Sequence, residues 1–174
     1  MKKTLLKRVW VLAGMALAMV CFVGCTSISL ESNKDPAAVR KLNRLFVLIN
    51  QGDTKNKPLS QSLSSAFREY FTNGTPQVDI AIASPLDLDE SAMRSRMAGF
   101  TPDAILTISA VNYVVDPYGN YPRIVYDVSL FDPIAKRRIW RASIDNSGST
   151  DFMDRRMREM ARKIVQQLQL DGFL

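Results

Sequence analysis

Few residues in this chain offer chemistry, and Cys25 is the first of them. It ends the stretch Phe22-Val23-Gly24-Cys25, at the close of an unbroken apolar run from Val9 to Val23 that follows Lys2, Lys3, Lys7 and Arg8. A basic region, a short apolar region and a small residue before a cut make a secretory signal peptide, and the run is too short for a comfortable membrane span. Gly24 supplies the small residue, whereas Cys21 follows the branched Val20. A second group is Tyr113, Tyr118, Tyr121 and Tyr126, close enough in sequence to hold a small ligand, lipid or glycan against a sheet. Carboxylates come third. Asp87, Asp89 and Glu90 could bind a cation, but three acids ahead of a short helix are more simply its cap and a favourable charge at its positive end. Asp116, Asp132 and Asp145 sit at turns or strand ends, where aspartate is ordinarily a turn former. Histidine is absent from the whole chain, which removes the commonest general base and the commonest zinc ligand. A hydrolase would need paired carboxylates, a Ser-Lys pair or a metal held by carboxylates, and no motif for any of these stands in the sequence. No catalytic residue, metal or cofactor is expected.

The stretch around Cys25 resembles the signal peptide and lipobox of bacterial lipoproteins. Gly24 and Val23 fit its pattern, and Phe22 stands where leucine is usual. The resemblance implies cleavage between Gly24 and Cys25, with Cys25 becoming the lipidated first residue, carrying palmitate-type chains that tie the protein to a membrane. In enterobacterial-type lipoproteins an aspartate after that cysteine favours inner-membrane retention. Thr26 stands there instead, so the resemblance implies the outer membrane, facing the periplasm. Three segments follow: residues 1–24 as signal peptide, 25–43 as lipidated cysteine and tether, and 44–174 as the periplasmic domain.

Removing 24 of the 174 residues leaves a chain long enough for one domain that buries roughly 70 % of its unfolded surface unaided. The formal charge of +6 suggests a nucleic-acid binder, yet four of the 23 basic residues and none of the 17 acids lie in the signal. The remainder is close to balanced. Together with the compartment this argues against nucleic acid, even though Lys136-Arg137-Arg138 and Arg141 flank Trp140. With Cys21 removed and Cys25 acylated there is no thiol left for a disulfide, so the fold must stand on packing.

The elements that would position these groups can be read in order. Residues 26–43 are polar without a clear period, as a tether would be, and 13 free residues reach about 45 Å at most. Leu45 to Ile49 is a continuous apolar run, read as a strand buried on both faces. Pro58 opens a helix whose stripe is Leu59, Leu63, Ala66, Phe67, Tyr70 and Phe71, with Asn73-Gly74 as its stop. Val78, Ile80 and Ile82 alternate as in a strand. A short helix, Ser91 to Ala98, closes at Gly99. Ile105 to Val115, Arg123 to Phe131 and Ile139 to Asp145 form three strands joined by short turns, an antiparallel meander. The final helix, about Asp151 to Leu170, follows the hydroxyl cap Thr150. It carries Met153, Met157, Met160, Ala161, Ile164 and Leu168 on one stripe, with Arg155, Arg156, Arg158, Arg162 and Lys163 on other, solvated faces. Asp154–Arg158 and Glu159–Lys163 stand at the supportive i, i+4 spacing.

The order β-α-β-α-β-β-β-α predicts an α/β (α+β) sandwich of two or three layers on a mixed five-stranded sheet. Pro102-Asp103-Ala104-Ile105-Leu106 opening a strand, with Leu130-Phe131-Asp132 and Ile139-Trp140-Arg141 flanking a tight turn, resembles a group of small periplasmic lipoprotein domains. That group includes the curli secretion lipoprotein, the amino-terminal domain of the Tol-system translocation protein and the lipoprotein activators of penicillin-binding proteins. It shares no catalytic residue, so none is carried over. The short loops argue against a self-formed pore, and the short tether makes the role of a cell-wall synthase activator harder. The leading expectation is a non-catalytic envelope module that docks another envelope protein or assists its assembly. A carrier or sensor binding a ligand around Tyr113, Tyr118 and Tyr121 is the alternative.

Overall fold

The computed structural model describes residues 27–50, 52, 57–71, 74, 76–84, 90–114, 123–148 and 152–174. They form one six-stranded mixed sheet and three α-helices. The strands are β1 (Ser27–Lys34), β2 (Arg44–Asn50), β3 (Gln77–Ala83), β4 (Ala104–Val114), β5 (Arg123–Asp132) and β6 (Arg137–Ser147). The helices are α1 (Lys57–Phe71), α2 (Glu90–Phe100) and α3 (Met153–Leu170), and a single 3-10 turn, Pro36–Ala38, links β1 to β2.

Across the sheet the order is β1-β6-β5-β4-β2-β3. The β2 strand lies parallel to both β3 and β4, and parallel neighbours need crossover helices, which α1 and α2 supply. One crossover steps outward from β2 to β3 and the next returns past β2 to β4. Equal handedness therefore places the two helices on opposite faces. Leu45, Val47 and Ile49 face the main core with Leu63 and Phe67 of α1. Phe46 points the other way, fully buried, with its ring centroid 6.1 Å from that of Phe100 at the end of α2. The expected burial of this strand on both faces is thus met. The meander β4-β5-β6 is also as expected, with the helix-facing set Ile124, Tyr126, Val128, Leu130, Trp140, Ala142 and Ile144 buried. Against it lies α3, through Met157, Met160, Ala161, Ile164 and Leu168.

Several expectations need correction. The sheet has six strands, not five. The sixth, β1, lies in the stretch read as a polar tether and runs antiparallel to β6 from Ser27↔Ser147 to Lys34↔Trp140. Ile28 and Leu30 turn toward the core, so the alternation was present, diluted by serines. The short helix does not stop at Gly99. It runs through Phe100, and the left-handed residue is Thr101 at φ 47°. The helix-supporting i, i+4 pairs are replaced: Glu159 pairs with Arg162 instead, and the Lys163 ammonium donates to the Ile28 carbonyl, tying α3 to the edge strand. Thr150 and the acids Asp87 and Asp89 lie outside the described residues, and Phe152 at the start of α3 makes no side-chain cap.

Chain reversals follow residue chemistry. Asp132 Oδ1 accepts from the N–H groups of Ile134 and Ala135, each at 2.9 Å, while Arg40 reaches its Oδ2 at 2.7 Å. The backbone donor of Ala135, with Arg40 and the Ile134 N–H, holds this carboxyl below the usual aspartate range against the effect of burial. At the C-terminus, Phe173 N donates to Leu168 O and Gly172 N to Gln169 O, a Schellman closure that needs φ +87° at Gly172. The closure seats Phe173 in the core.

These carboxylates give the fold a predicted acid limit. The Arg96 guanidinium beside Asp79 (2.6 Å) also lowers that carboxyl from its ordinary 3.8, and Glu159 is lowered by Arg162. A folded-state pKa below the unfolded one stabilises above the unfolded value and loses that contribution as pH falls through the folded one. Thermal stability should hold from neutral pH to about 5 and decline below about 4. Melting curves across that range check this, and Asp132→Asn should flatten the acid limb. An unchanged acid limb in the variant would count against the assignment.

Candidate functional site

Only part of the second sheet face is covered. Beneath α2 lie β2 and β3, where Arg96 binds Asp79 with both Nε (2.9 Å) and Nη2 (2.6 Å). Beyond α2, among the described residues, the outward sides of β4, β5, β6 and β1 carry no helix. They present Thr107 and Ser109, then Asp127 and Ser129, then Arg141, Ser143 and Asp145, and at the edge Glu31 and Asn33. Each strand alternates, so one half faces the core, and the outward half mixes these polar groups with the partly exposed Ile105, Val125 and Phe131. Thr107, Asp127 and Ser129 are partly exposed, and Arg141 and Ser143 are exposed.

Two ion pairs brace this face. Arg123 Nε lies 2.9 Å from Asp145 Oδ2, and Arg141 Nε lies 2.7 Å from Asp127 Oδ1. Each acid raises its arginine's pKa, chiefly through the hydrogen bond. Both pairs step diagonally between β5 and β6, so they fix side chains that would otherwise sweep solvent. Beside them is an open groove of about 520 Å³, bordered by Glu31, Asn33, Val111, Asp127, Arg141 and Ser143. The result is a flat, hydrogen-bonding surface with both signs of charge, suited to a complementary polar surface. A deep apolar ligand pocket looks different. The apolar gap between α1 and the sheet, bordered by Ile49, Leu63, Ile108 and Tyr126, is about 10 Å³, room for no more than a water.

The tyrosines separate. Tyr113 is half exposed near the end of β4. Tyr126 is buried under α3 with its hydroxyl 4.0 Å from the Met157 sulfur, and burial pushes its phenol pKa up. It is a core residue, which corrects its reading as a ligand contact. Its place among Ile124, Val128 and Leu130 was the sequence signal for that. Tyr118, Tyr121, Gly24 and Cys25 lie outside the described residues. No group of three or more Cys, Asp or Glu placed to hold a metal occurs among the described residues, and none of the described helices is long and apolar enough to cross a membrane.

One polar residue was misplaced by sequence reasoning. Arg156, assigned to a solvated face, is 1 % exposed. Its Nε donates to Asn146 Oδ1 at 2.7 Å, Nη2 to the Asn146 carbonyl at 2.7 Å and Nη1 to the Gly148 carbonyl at 2.8 Å. Gly148, at φ +151°, brings its backbone against that guanidinium. Burial lowers the arginine's pKa. The cluster locks the end of β6 to α3, and its sequence signal was weak because Arg155 and Arg158 share the helix's first two turns.

No protein-family model matches the chain, and no curated protein does. Solved structures do. The PelC dodecamer from Paraburkholderia phytofirmans is 14 % identical, with 85 % of this chain and 99 % of that one covered and a TM-score of 0.54. A point variant of the same protein matches at 14 % identity, 84 % and 98 % coverage and a TM-score of 0.51. Lipoprotein GNA1162 from Neisseria meningitidis is 10 % identical over 71 % of this chain and 98 % of that one, at a TM-score of 0.39. The two PelC matches share the fold, over nearly their whole length.

Proposed function

We propose that this chain is a lipid-anchored, periplasm-facing outer-membrane lipoprotein that docks an envelope protein partner and catalyses nothing. The observation that carries the docking role is the uncovered face of β4, β5, β6 and β1, braced by Arg123–Asp145 and Arg141–Asp127. Bracing lowers the entropy lost when a partner settles on those side chains. The signal-like start and Cys25 support the anchor, and Thr26 supports the outer membrane. The fold is shared with a protein described as a dodecamer, so further copies of this chain belong among the candidate partners. A cell-wall synthase activator is disfavoured further, because β1 begins at Ser27 and leaves no tether of useful length. The carrier reading would rest on the open groove beside Arg141.

A photoreactive residue replacing Ser143, activated in intact cells, tests the docking role. The expected result is a discrete covalent adduct with an envelope protein or a second copy, and none from the same residue replacing the exposed Gln61 on α1. Equal, diffuse labelling from both positions, or none from Ser143, would reject the docking face.

A further inference from the structure

The register of the sheet sets a row of residues at one end. Ser27 pairs with Ser147, Ser147 with Arg123, and Arg123 with Val114. With strands about 4.8 Å apart, the row is roughly 14 Å wide. The parallel part of the sheet stops short of it, because Asn50 at the end of β2 pairs with Ser109 and Ala83. Past that level β4 continues without β2 but still paired with β5, bulging at Val111, to Val114.

Large apolar side chains are exposed toward this end of the sheet. Val111 is 61 % exposed, Tyr113 50 %, Val114 52 % and Phe152, which leads from β6 into α3, 50 %. At the other end Ile134 is exposed too, at 83 %, near the ion pairs Arg40–Asp132 and Arg137–Asp35.

Cys25 precedes Ser27 by two residues, a span of at most about 7 Å. The polar layer on each side of a bilayer is itself about 5–8 Å thick. A lipid on Cys25 therefore holds the Ser27 end of the row close against the membrane. We propose that Tyr113, Val114 and Phe152 form a membrane-docking surface that rests in the headgroup layer around the anchor. This rests on the reading that Cys25 is acylated. Tyrosine suits that layer, with an apolar ring and a polar tip. Among the described residues, charge at this end is nearly balanced, Arg123 with Asp145 and exposed Arg155 beside Asp154, so apolar contact rather than attraction to anionic lipid holds the surface down. The orientation that follows stands the strands upright on the membrane and turns the polar sheet face sideways, toward a neighbour.

The test places a nitroxide at Val114→Cys and, as a control, at Ile134→Cys, which is 83 % exposed at the opposite end. Each full chain is expressed in a bacterial host, purified, weighed by mass spectrometry for acyl groups, and reconstituted into phosphatidylethanolamine–phosphatidylglycerol vesicles. The expected result is a several-fold lower collision rate with a water-soluble nickel chelate at Val114 than at Ile134, and a higher one with oxygen, at both low and high salt. An acylated chain whose Val114 label collides with nickel as freely as the Ile134 label overturns the docking surface alone. A label at Val114 shielded from both reagents, with broadening between spins, also overturns it and assigns this end to contact between copies. An unacylated chain with Val114 in water overturns both docking and anchor, whereas an unacylated chain with Val114 at headgroup depth keeps the docking surface and rejects the anchor.

Discussion

Trp140→Ala is expected to cost about 3–5 kcal/mol, the range for truncating a buried tryptophan, out of the ~5–15 kcal/mol that holds a domain together. Trp140 is 1 % exposed and shares the helix-facing side of β6 with Ala142 and Ile144. Its loss would open a cavity in the core that β6 shares with α3. The ring also does a second job. Its Nε1 donates to Asp171 Oδ2 at 2.7 Å, while Lys34 approaches Oδ1 of the same carboxylate at 3.2 Å and Gln167 Nε2 reaches Oδ2 at 3.1 Å. Burial works to raise this carboxyl, but donors from Gln167, Trp140 and Lys34 hold it below the usual range. Trp140→Phe keeps most of the volume and removes one hydrogen bond to a charged acceptor, so it should cost about 1.5–3 kcal/mol. Urea denaturation of the three proteins measures both effects. A Trp140→Ala midpoint equal to that of the parent chain would contradict the core assignment.

The core role of this tryptophan is legible in the amino-acid order alone. The Trp140, Ala142, Ile144 alternation is a two-residue period, the closing helix supplies an apolar stripe, and two such surfaces in one domain gain most by covering each other. The same reasoning found β2, α1 and the meander. It failed at β1, where Ser27-Ile28-Ser29-Leu30 carries only two large apolar residues, because an edge strand packs one flank and so needs fewer. It failed at Thr101, because the left-handed stop came one residue beyond the helix and two beyond the glycine. The burial of Arg156 was out of reach for a different reason. Its partners, the Asn146 side chain and the Asn146 and Gly148 carbonyls, lie on the preceding strand and loop, and only the folded geometry brings them to the helix.

The candidate face was half legible. Alternation in β5 and β6 says that Asp127, Ser129, Arg141 and Ser143 share a side, yet period alone does not say which side lacks a cover. That depends on the sheet order, and specifically on α2 lying over β2 and β3 rather than over the meander. The apolar end was hidden in the same way. Val111, Tyr113 and Val114 read as ordinary strand residues, and their exposure follows from β2 ending early beside β4.

The anchor carries most of the account, and the fractionation of Cys25→Ala beside the parent chain in cells fed labelled fatty acid tests it most directly. Each buried CH₂ contributes about 0.8 kcal/mol, so two or more acyl chains hold a protein on a membrane essentially permanently. The parent chain should take up the label and sediment with the outer membrane. Cys25→Ala should take up none, and should either appear in the soluble periplasmic fraction or stall as an uncleaved precursor. A parent chain that takes up no label, a Cys25→Ala chain that takes up as much, or a mature protein found wholly in the inner membrane would contradict the account.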